Sequence, residues 1–479
     1  VRKVKRMSDY DSRLRFIRKL ANTELACGKS LIDLTTYEDT AMWWFVELGF
    51  DAFLRTALNT RPTGQPTSPS YRMFDVYKQV GIFLDILETS LLRLLVAFRN
   101  RNRGGTRNGK RLPKIIFTAQ DAEWRVFVDD ETGRMKKSDA FFDPILKKLV
   151  NECECLGVYP VMMTQRPVSH QAIRSLRILV DKLENWYVPH RPFELYWSLD
   201  VRRSERNASG YFARVWSLLA RDERFREISA SDYRSITDGI RTQIENCFRV
   251  TFPFVVRWIE LAEQVLRKEK PDLVLIVNEY GVFERALVMA AKRLAVRTLA
   301  IQHGSIHPYH RGYMYAKEEI GPDASGRSPY CPIADRTAVY GPYHRDLLTK
   351  SSAYPENSVV VTGQPRYDRL RHLNKIYSRR DFLSRHGISS DHRVVLWATE
   401  CEALSMEENI ANFRVVFGTI GALKHTTLIV KQHPGEGETY TKMIKSYLKE
   451  CGGRALLTSP TSDLSLIHIS EPTRQAEIS

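Results

Sequence analysis

Three short polar motifs in the second half of the chain contain the residue types best suited to catalysis. In chain order they are residues 302–304 (Gln-His-Gly), 362–368 (Thr-Gly-Gln-Pro-Arg-Tyr-Asp) and 431–436 (Lys-Gln-His-Pro-Gly-Glu). Histidine exchanges protons near neutral pH and therefore suits general acid–base catalysis, whereas arginine and lysine bind phosphate groups. Together the motifs predict a site for an anionic, nucleotide-like ligand.

Each motif follows a short run of β-branched and aliphatic residues, at 298–301, 358–361 and 427–430. Such runs, bounded by turn formers, are typical of buried parallel strands. A polar residue just past the carboxyl end of a parallel strand lies on the edge where open α/β sheets bind ligands. The sequence therefore predicts an α/β fold in which strand ends carry the motifs.

The order of these motifs resembles that of the GT-B transferases that build cell-surface polymers. A Tyr-Gly pair at 340–341 stands between the first two motifs, and the resemblance covers roughly residues 271–463. The nearest likenesses are the CDP-glycerol glycerophosphotransferases and the capsule polysaccharide transferases; UDP-N-acetylglucosamine 2-epimerase is more distantly similar. The resemblance implies two doubly wound, Rossmann-like domains facing a cleft, the second of them truncated, and no bound cofactor.

The resemblance also implies roles for the two histidines. His303 would act as the base on the acceptor, and His433 would stabilise charge on the leaving nucleotide. Gly304 would let the backbone approach a ligand closely. The glycerophosphotransferase-like family usually has Trp where this chain has Gln302, which points to a different subfamily or acceptor. Gln302 is therefore also a candidate substrate-binding residue. The alternative for His303 is a structural histidine at a strand end.

Further candidate residues surround these histidines. Glu279 follows a predicted strand at 273–277, where it either orients a substrate hydroxyl or caps the next helix. At the predicted interdomain hinge, Arg366 either grips a phosphate or pairs with Asp368. Thr399 and Lys431 are expected beside the donor phosphates.

Two further patterns concern acidic residues and possible metal ligands. Glu436 and Glu438 are expected at the surface. His303, His307 and His310 lack the spacing of a helical metal site, and the pair Cys153 and Cys155 lacks a second ligand pair. The sequence therefore predicts no metal site.

Composition and motifs together predict the domain organisation. We expect a basic N-terminal arm (1–29) and an acceptor-side domain (30–368), whose first strand is at 30–34 and which contains a helical insertion at about 185–268. A partial nucleotide-donor domain (369–463) follows. Residues 464–479 resemble the translation of a sequencing adaptor, and we exclude them from the fold.

The charge balance points to anionic partners. Lys and Arg number 72 against 56 Asp and Glu, a formal net charge of +16. A predicted helix at 80–98 followed by a basic loop at 101–114 suggests contact with an anionic membrane surface, or else a core helix and a solvated loop. Arginine clusters without interleaved aromatic residues argue against nucleic acid. Scattered cysteines and no evident signal peptide predict a cytoplasmic protein, peripheral on the inner membrane face.

These observations predict an enzyme of cell-surface glycopolymer synthesis. It would transfer a sugar or a polyol phosphate from a nucleotide-activated donor to a glycolipid or polysaccharide acceptor. Two alternatives stay open at this point. One is a UDP-N-acetylglucosamine 2-epimerase-like enzyme, and the other is a basic, non-catalytic protein that binds membrane or RNA.

Overall fold

The computed structural model describes twelve segments of the chain: residues 2–59, 106–107, 110–119, 124–128, 135–160, 188–322, 324–372, 378–399, 401, 406–433, 436–451 and 453–458. The predicted helix at 80–98, residues 101–105 and 108–109 of the basic loop, and the adaptor-like tail lie outside these residues. The chain divides into two compact units. Unit 1 comprises Val1–Asp121 and Phe141–Gln364, and unit 2 comprises Ala122–Ala140 and Pro365–Ser479.

The described strands, in chain order, are β1 (Thr36–Tyr37), β2 (Thr40–Ala41), β3 (Thr106–Arg107), β4 (Lys110–Arg111), β5 (Lys114–Thr118), β6 (Trp124–Val128), β7 (Met135–Asp139), β8 (Glu154–Tyr159), β9 (His190–Pro192), β10 (Leu273–Val277), β11 (Arg297–Ile301), β12 (Arg336–Val339), β13 (Val359–Val361), β14 (Arg393–Ala398), β15 (Thr426–Lys431) and β16 (Ala455–Thr458).

The described α-helices are α1 (Arg2–Asn22), α2 (Leu31–Leu34), α3 (Glu47–Asn59), α4 (Asp143–Leu149), α5 (Leu199–Leu219), α6 (Glu223–Ser231), α7 (Thr237–Asn246), α8 (Phe252–Glu269), α9 (Val282–Arg293), α10 (Lys317–Ile320), α11 (Pro342–Asp346), α12 (Arg379–Arg385), α13 (Met406–Ala422) and α14 (Glu438–Glu450). Short 3₁₀ or π turns occupy Met42–Phe45, Phe193–Tyr196, Arg234–Ile236, Cys247–Thr251, Leu347–Ser351, Glu356–Ser358 and Pro365–His372.

Unit 1 is built on a seven-stranded parallel sheet in the order β13-β12-β11-β10-β5-β8-β9. The strand order reverses between β5 and β10, because the chain builds outward from β5 through β8 and then returns to start β10 on its other side. In open α/β sheets, ligands bind at the carboxyl ends of the strands near such a switch point. β10, with its last four residues buried, and β11 therefore end beside the predicted binding edge.

Helix α8 forms the centre of the helical layer of unit 1. Its apolar residues recur at helical spacing, and Val255, Trp258 and Leu261 are at most 3% exposed. Burying a side chain of this size contributes about 1.5–3 kcal/mol to folding. Pro253 is the second residue of α8 and directly follows the π turn at Cys247–Thr251, which joins α7 to α8 without a break in the helical backbone. A π turn before a proline is a usual way for a helix to accommodate the missing N–H.

Three sequence predictions about unit 1 differ from the structure. Residues 31–34 form helix α2 and not a strand, because Ser30 and Asp33 make a reciprocal capping box. The basic N-terminal segment is not a detached arm, since Phe16 and Ile17 of α1 are 1% exposed within the main core. The region predicted to be wholly helical starts with strand β9, too short at three residues to leave a pattern.

Unit 2 contains a second, three-stranded parallel sheet in the order β14-β15-β16, and an antiparallel hairpin of β6 and β7. β15 is buried along its whole length, and its Leu428 and Val430 pack with Phe413 and Phe417 of α13. Two separate parallel sheets with flanking helices confirm the predicted α/β class. The reversed strand order of a doubly wound sheet is present in unit 1, whereas the three described strands of the unit 2 sheet follow one another in chain order.

Candidate functional site

Gln302, the residue after β11, joins two strand ends of unit 1. Its side-chain amide donates to the carbonyl of Gly304 at 2.7 Å, and its amide oxygen accepts from the backbone N–H of Tyr340 at 2.8 Å. Tyr340 is the residue after β12, and Gln302 itself is 0% exposed. These contacts tie the backbone after His303 to the end of β12, and the substrate-binding role of Gln302 stays a prediction.

Hydrogen bonds fix the backbone of His303, while its imidazole is half-buried at the sheet edge. The Tyr340 hydroxyl donates to the His303 carbonyl at 2.9 Å and in turn accepts from the side-chain amide of Gln364. The imidazole stacks on Phe141, with ring centroids 5.4 Å apart and an interplanar angle of 29°. Three strand ends thereby position one partly accessible imidazole, the arrangement that a general base requires.

Gly304 does not have the close surroundings that would demand a glycine. A Cβ built at this position meets no atom within 4 Å, and its φ is not in the left-handed region. Space around Gly304 is compatible with a ligand near the backbone, as predicted, but the described residues give no steric reason for glycine.

The loop after His303 contributes an aromatic and imidazole wall. His310 contacts Tyr280 and Tyr313, with ring centroids 4.9 and 5.1 Å away, and His307, 5.6 Å away. Burial, together with the neighbouring His307 and His303, lowers the pKa of His310 to about 4. His310 is therefore neutral at pH 7 and adds no positive charge beside His303.

Glu279, predicted to act at the site, is 3% exposed and accepts hydrogen bonds inside the protein. Its donors are the N–H of Ala334 (3.3 Å) and the hydroxyls of Thr337 (3.2 Å) and Tyr354 (3.1 Å). Burial raises the pKa of its carboxyl group. The capping alternative is wrong, since Gly281 occupies the N-cap of α9 with no side-chain bond. These contacts favour a structural role, and contact with a substrate hydroxyl stays a prediction.

The predicted hinge residues lie where the chain leaves unit 1 for unit 2. Gly363 has φ +82°, a left-handed conformation that favours glycine. Arg366 is half-buried and Asp368 is exposed on the following 3₁₀ turn, Pro365–His372. Whether Arg366 grips a phosphate or pairs with Asp368 stays a prediction.

In unit 2, β14 and β15 end side by side and bring Thr399, Lys431 and His433 together. The Thr399 N–H donates to the Lys431 carbonyl at 2.9 Å, and the His433 N–H donates to the Thr399 hydroxyl at 3.4 Å. Lys431 is 5% exposed, whereas His433 is exposed to solvent. The sequence correctly placed these three residues at one strand-end edge, and their roles stay predictions.

Glu436 is a residue that the sequence interpretation missed. It was expected at the surface, but it is only 9% exposed and its carboxylate accepts from the Thr399 hydroxyl at 2.7 Å and from the Cys401 N–H. The N–H of Glu436 donates to the His433 carbonyl at 3.0 Å, which keeps Glu436 close to the end of β15. The turn-forming pair Pro434-Gly435 in the sequence was the available signal. Glu436 fixes the hydroxyl that contacts the His433 backbone.

Comparisons with solved structures find UDP-GlcNAc 2-epimerases and glycosyltransferases. UDP-GlcNAc 2-epimerase from Neisseria meningitidis, bound to UDP-GlcNAc, is 12% identical, with 74% of each chain covered and a TM-score of 0.40. A glycosyltransferase from Rickettsia africae is 8% identical, with 76% of this chain and 72% of that chain covered and a TM-score of 0.40. The S. aureus MnaA–UDP co-structure is 14% identical, with 74% and 71% covered and a TM-score of 0.39.

Because these TM-scores are below 0.5, the fold is assigned from the parallel sheets and the strand-end motifs of this chain. No protein-family profile matches the chain, and no curated protein matches it. Within the described residues, no helix is both long enough and apolar enough to cross a membrane.

Proposed function

We propose that this protein transfers a sugar or a polyol phosphate from a nucleotide-activated donor to an acceptor hydroxyl during cell-surface glycopolymer synthesis. The observation that carries the proposal is the placement of His303. Its backbone is fixed through Gln302 and Tyr340, while its imidazole remains half-exposed at the carboxyl edge of a parallel sheet.

In the proposed reaction the imidazole of His303 removes the proton of the acceptor hydroxyl. The acceptor oxygen then bonds to the sugar carbon or to the phosphorus of the donor, and the bond from that atom to the leaving nucleotide breaks. The proton passes from the imidazolium to solvent or to the departing phosphate. General base catalysis of this kind contributes about 10²–10⁴-fold to a rate.

We assign the donor phosphates to the strand-end edge of unit 2. Backbone N–H groups and the ammonium of Lys431 are the donor types that bind phosphate oxygens. The Thr399 hydroxyl donates to Glu436 in this structure and would have to exchange that bond to reach a phosphate. The exposed side chain of His433 adds a group that is attractive to a leaving phosphate when protonated. The net charge of +16 is compatible with anionic donors and with an acceptor presented at an anionic membrane surface.

A transfer assay tests the role of His303. The purified protein is supplied with UDP-hexoses, UDP-N-acetylhexosamines or CDP-polyols, with lipid-linked oligosaccharide as acceptor, and released nucleotide is measured. We expect acceptor-dependent release in the unmodified protein and a loss of about 10²–10⁴-fold in kcat for His303→Ala. His386→Ala, an exposed histidine of unit 2, serves as the matched control.

Other outcomes would contradict the proposal in distinguishable ways. A full transfer rate in His303→Ala would remove the base assignment. Epimerisation of a UDP-sugar without acceptor would support the epimerase alternative. Salt-sensitive binding to anionic vesicles or RNA, with no affinity for any nucleotide-activated donor, would support the non-catalytic alternative.

A further inference from the structure

A group of side chains with metal-ligating atoms lies in unit 2, at the amino ends of its strands, opposite the ends that carry Thr399 and His433. Asp391 and His392 immediately precede β14, and His425 immediately precedes β15. Because β14 and β15 are parallel and adjacent, their amino ends bring the two loops together. Each of the three residues offers one ligand atom, and these atoms lie within 4.8 Å of one another.

The side chains in this cluster are oriented by hydrogen bonds. Nδ1 of His392 is 2.9 Å from the hydroxyl of Thr427, which directs Nε2 of the ring away from that contact. Nδ1 of His425 lies 2.8 Å from a carboxylate oxygen of Asp391. The other oxygen of Asp391 accepts from the hydroxyl of Ser389. The contact of His392 with Thr427 matches the way in which metal-binding histidines are oriented, by a partner on the ring nitrogen that does not face the metal. Nδ1 of His425 instead faces Asp391, its fellow ligand.

The backbone of the two loops is fixed as well. The Arg393 N–H donates to the His425 carbonyl at 2.7 Å, and the guanidinium of Arg379 donates to the His392 carbonyl at 3.2 Å. His425 has φ +49°, the left-handed region that a non-glycine residue seldom occupies. This conformation bends the chain just before β15 and is part of what places His425 beside Asp391.

We propose that Asp391, His392 and His425 form a binding site for a divalent transition-metal ion. Two imidazoles and one carboxylate are a ligand set suited to Zn²⁺, Ni²⁺ or Co²⁺ and poorly suited to Mg²⁺ or Ca²⁺, which prefer oxygen ligands. The site departs from the sequence prediction, which found no metal pattern because His425 lies more than thirty positions from Asp391 and His392.

The geometry allows the ion to enter with small side-chain movements. Metal–nitrogen and metal–oxygen distances of about 2.0–2.2 Å place tetrahedral ligand atoms roughly 3.3 Å apart. The side chains of Asp391 and His425 are 57% and 68% exposed, so their rings and oxygens can rotate to that separation. The ion replaces the proton shared between His425 and Asp391, and water completes its coordination.

Such an ion would tie the loop before β14 to the loop before β15. Since β14 is six residues long, the site is about 20 Å from Thr399 at the other end of the strand, given a rise of about 3.3 Å per residue. The ion would therefore stabilise unit 2 without contacting the proposed donor phosphates.

Metal titration of the untagged, full-length protein tests the site. Isothermal titration with NiCl₂ and ZnCl₂ is expected to show one class of sites at one ion per chain, and MgCl₂ is expected to give no heat of binding. His392→Ala and His425→Ala should each weaken binding at least tenfold, whereas His386→Ala should not. Thr427→Val, which removes the hydroxyl beside Nδ1 of His392, should weaken binding to a smaller extent.

A spectroscopic measurement separates this site from the seven free cysteines of the chain. With CoCl₂, ligands of nitrogen and oxygen give visible d–d bands without the near-ultraviolet charge-transfer band that thiolate ligands produce. We expect the d–d bands to disappear in the His392→Ala/His425→Ala double variant. Binding that is unchanged in that variant, a thiolate band in place of the expected spectrum, or no binding at all would overturn the proposal.

Discussion

The side chain of Gln302 offers a sharp test of how the strand ends of unit 1 are fixed. Replacing Gln302 with Leu removes the bonds to the Gly304 carbonyl (2.7 Å) and the Tyr340 N–H (2.8 Å) at a residue that is 0% exposed. A polar group left unsatisfied in the interior costs about 1–3 kcal/mol. Because both partners are only partly buried, we expect Gln302→Leu to lower the free energy of unfolding by about 2–4 kcal/mol.

A second variant at the same position predicts a pH dependence. In Gln302→Glu the carboxylate can still accept from Tyr340, but it can donate to Gly304 only when it is protonated. Burial and this carbonyl therefore raise the pKa of the new carboxyl group in the folded state above its unfolded value of about 4.3. The stabilising contribution is present below that value and is lost as pH rises through the folded-state pKa.

Urea-induced unfolding measured between pH 4.5 and 7.5 checks both variants. The stability of Gln302→Glu should fall relative to the unmodified protein by about 1.4 kcal/mol for each unit by which its pKa is raised. Gln243→Leu and Gln243→Glu, in the half-buried position of α7, are the matched controls. Hydrogen exchange at the Tyr340 amide should accelerate in Gln302→Leu and remain slow in Gln302→Glu.

The reasoning would be refuted by specific results. A loss below about 1 kcal/mol in Gln302→Leu would mean that the two hydrogen bonds do not hold the strand ends. An equal pH effect in the Gln243→Glu control would remove the link to burial. Under the proposed function, displacement of His303 by about 1 Å also costs roughly 100-fold in rate, so an unchanged transfer rate would show that His303 keeps its place without Gln302.

Three further predictions concern buried groups of unit 1. Burial raises the pKa of Glu279, so its contribution to stability is present at low pH and is lost as pH rises. The free energy of unfolding of Glu279→Gln, measured in urea, should therefore increase relative to that of the unmodified protein as pH rises from 4 to 8. Arg311→Met should lower the free energy of unfolding by about 3–5 kcal/mol, because it leaves the buried carboxylate of Glu47, which lies 2.6 Å from Arg311, without its cation. In the double variant with Glu47→Gln, the free energy of unfolding should fall by clearly less than the sum of the two single losses. Gly157→Ala should lose about 1–3 kcal/mol in thermal unfolding, since its Cβ would lie 2.5 Å from the ring of His190; equal stability would show that this ring can move aside.

Much of the local organisation was predictable from sequence because it depends on short-range patterns. Apolar runs followed by polar residues located β10, β11, β13 and β15, and the polar residue after each run was correctly placed at a strand end. The pattern at residues 30–34 misled, because five apolar and polar residues fit a strand and a helical turn equally well. There the reciprocal Ser30–Asp33 capping bonds decided for the helix.

Roles that depend on a distant partner could not be predicted. Sequence indicated a polar residue at 279 and another at 302, but only the tertiary structure turned Glu279 toward Thr337 and Tyr354 and paired Gln302 with Tyr340. In the same way it buried Glu436 against the loop after β14.

The sequence by itself determined the α/β class, the strand ends that carry the motifs and the candidate base His303, since each follows from residue type and spacing within a few positions. Only the tertiary structure decided which polar side chains are fixed in the interior and which remain accessible. It also brought Asp391 and His425 together from 34 positions apart. The physical reason is that hydrogen-bond partners and desolvation are set by strand pairing, which joins segments that are far apart along the chain.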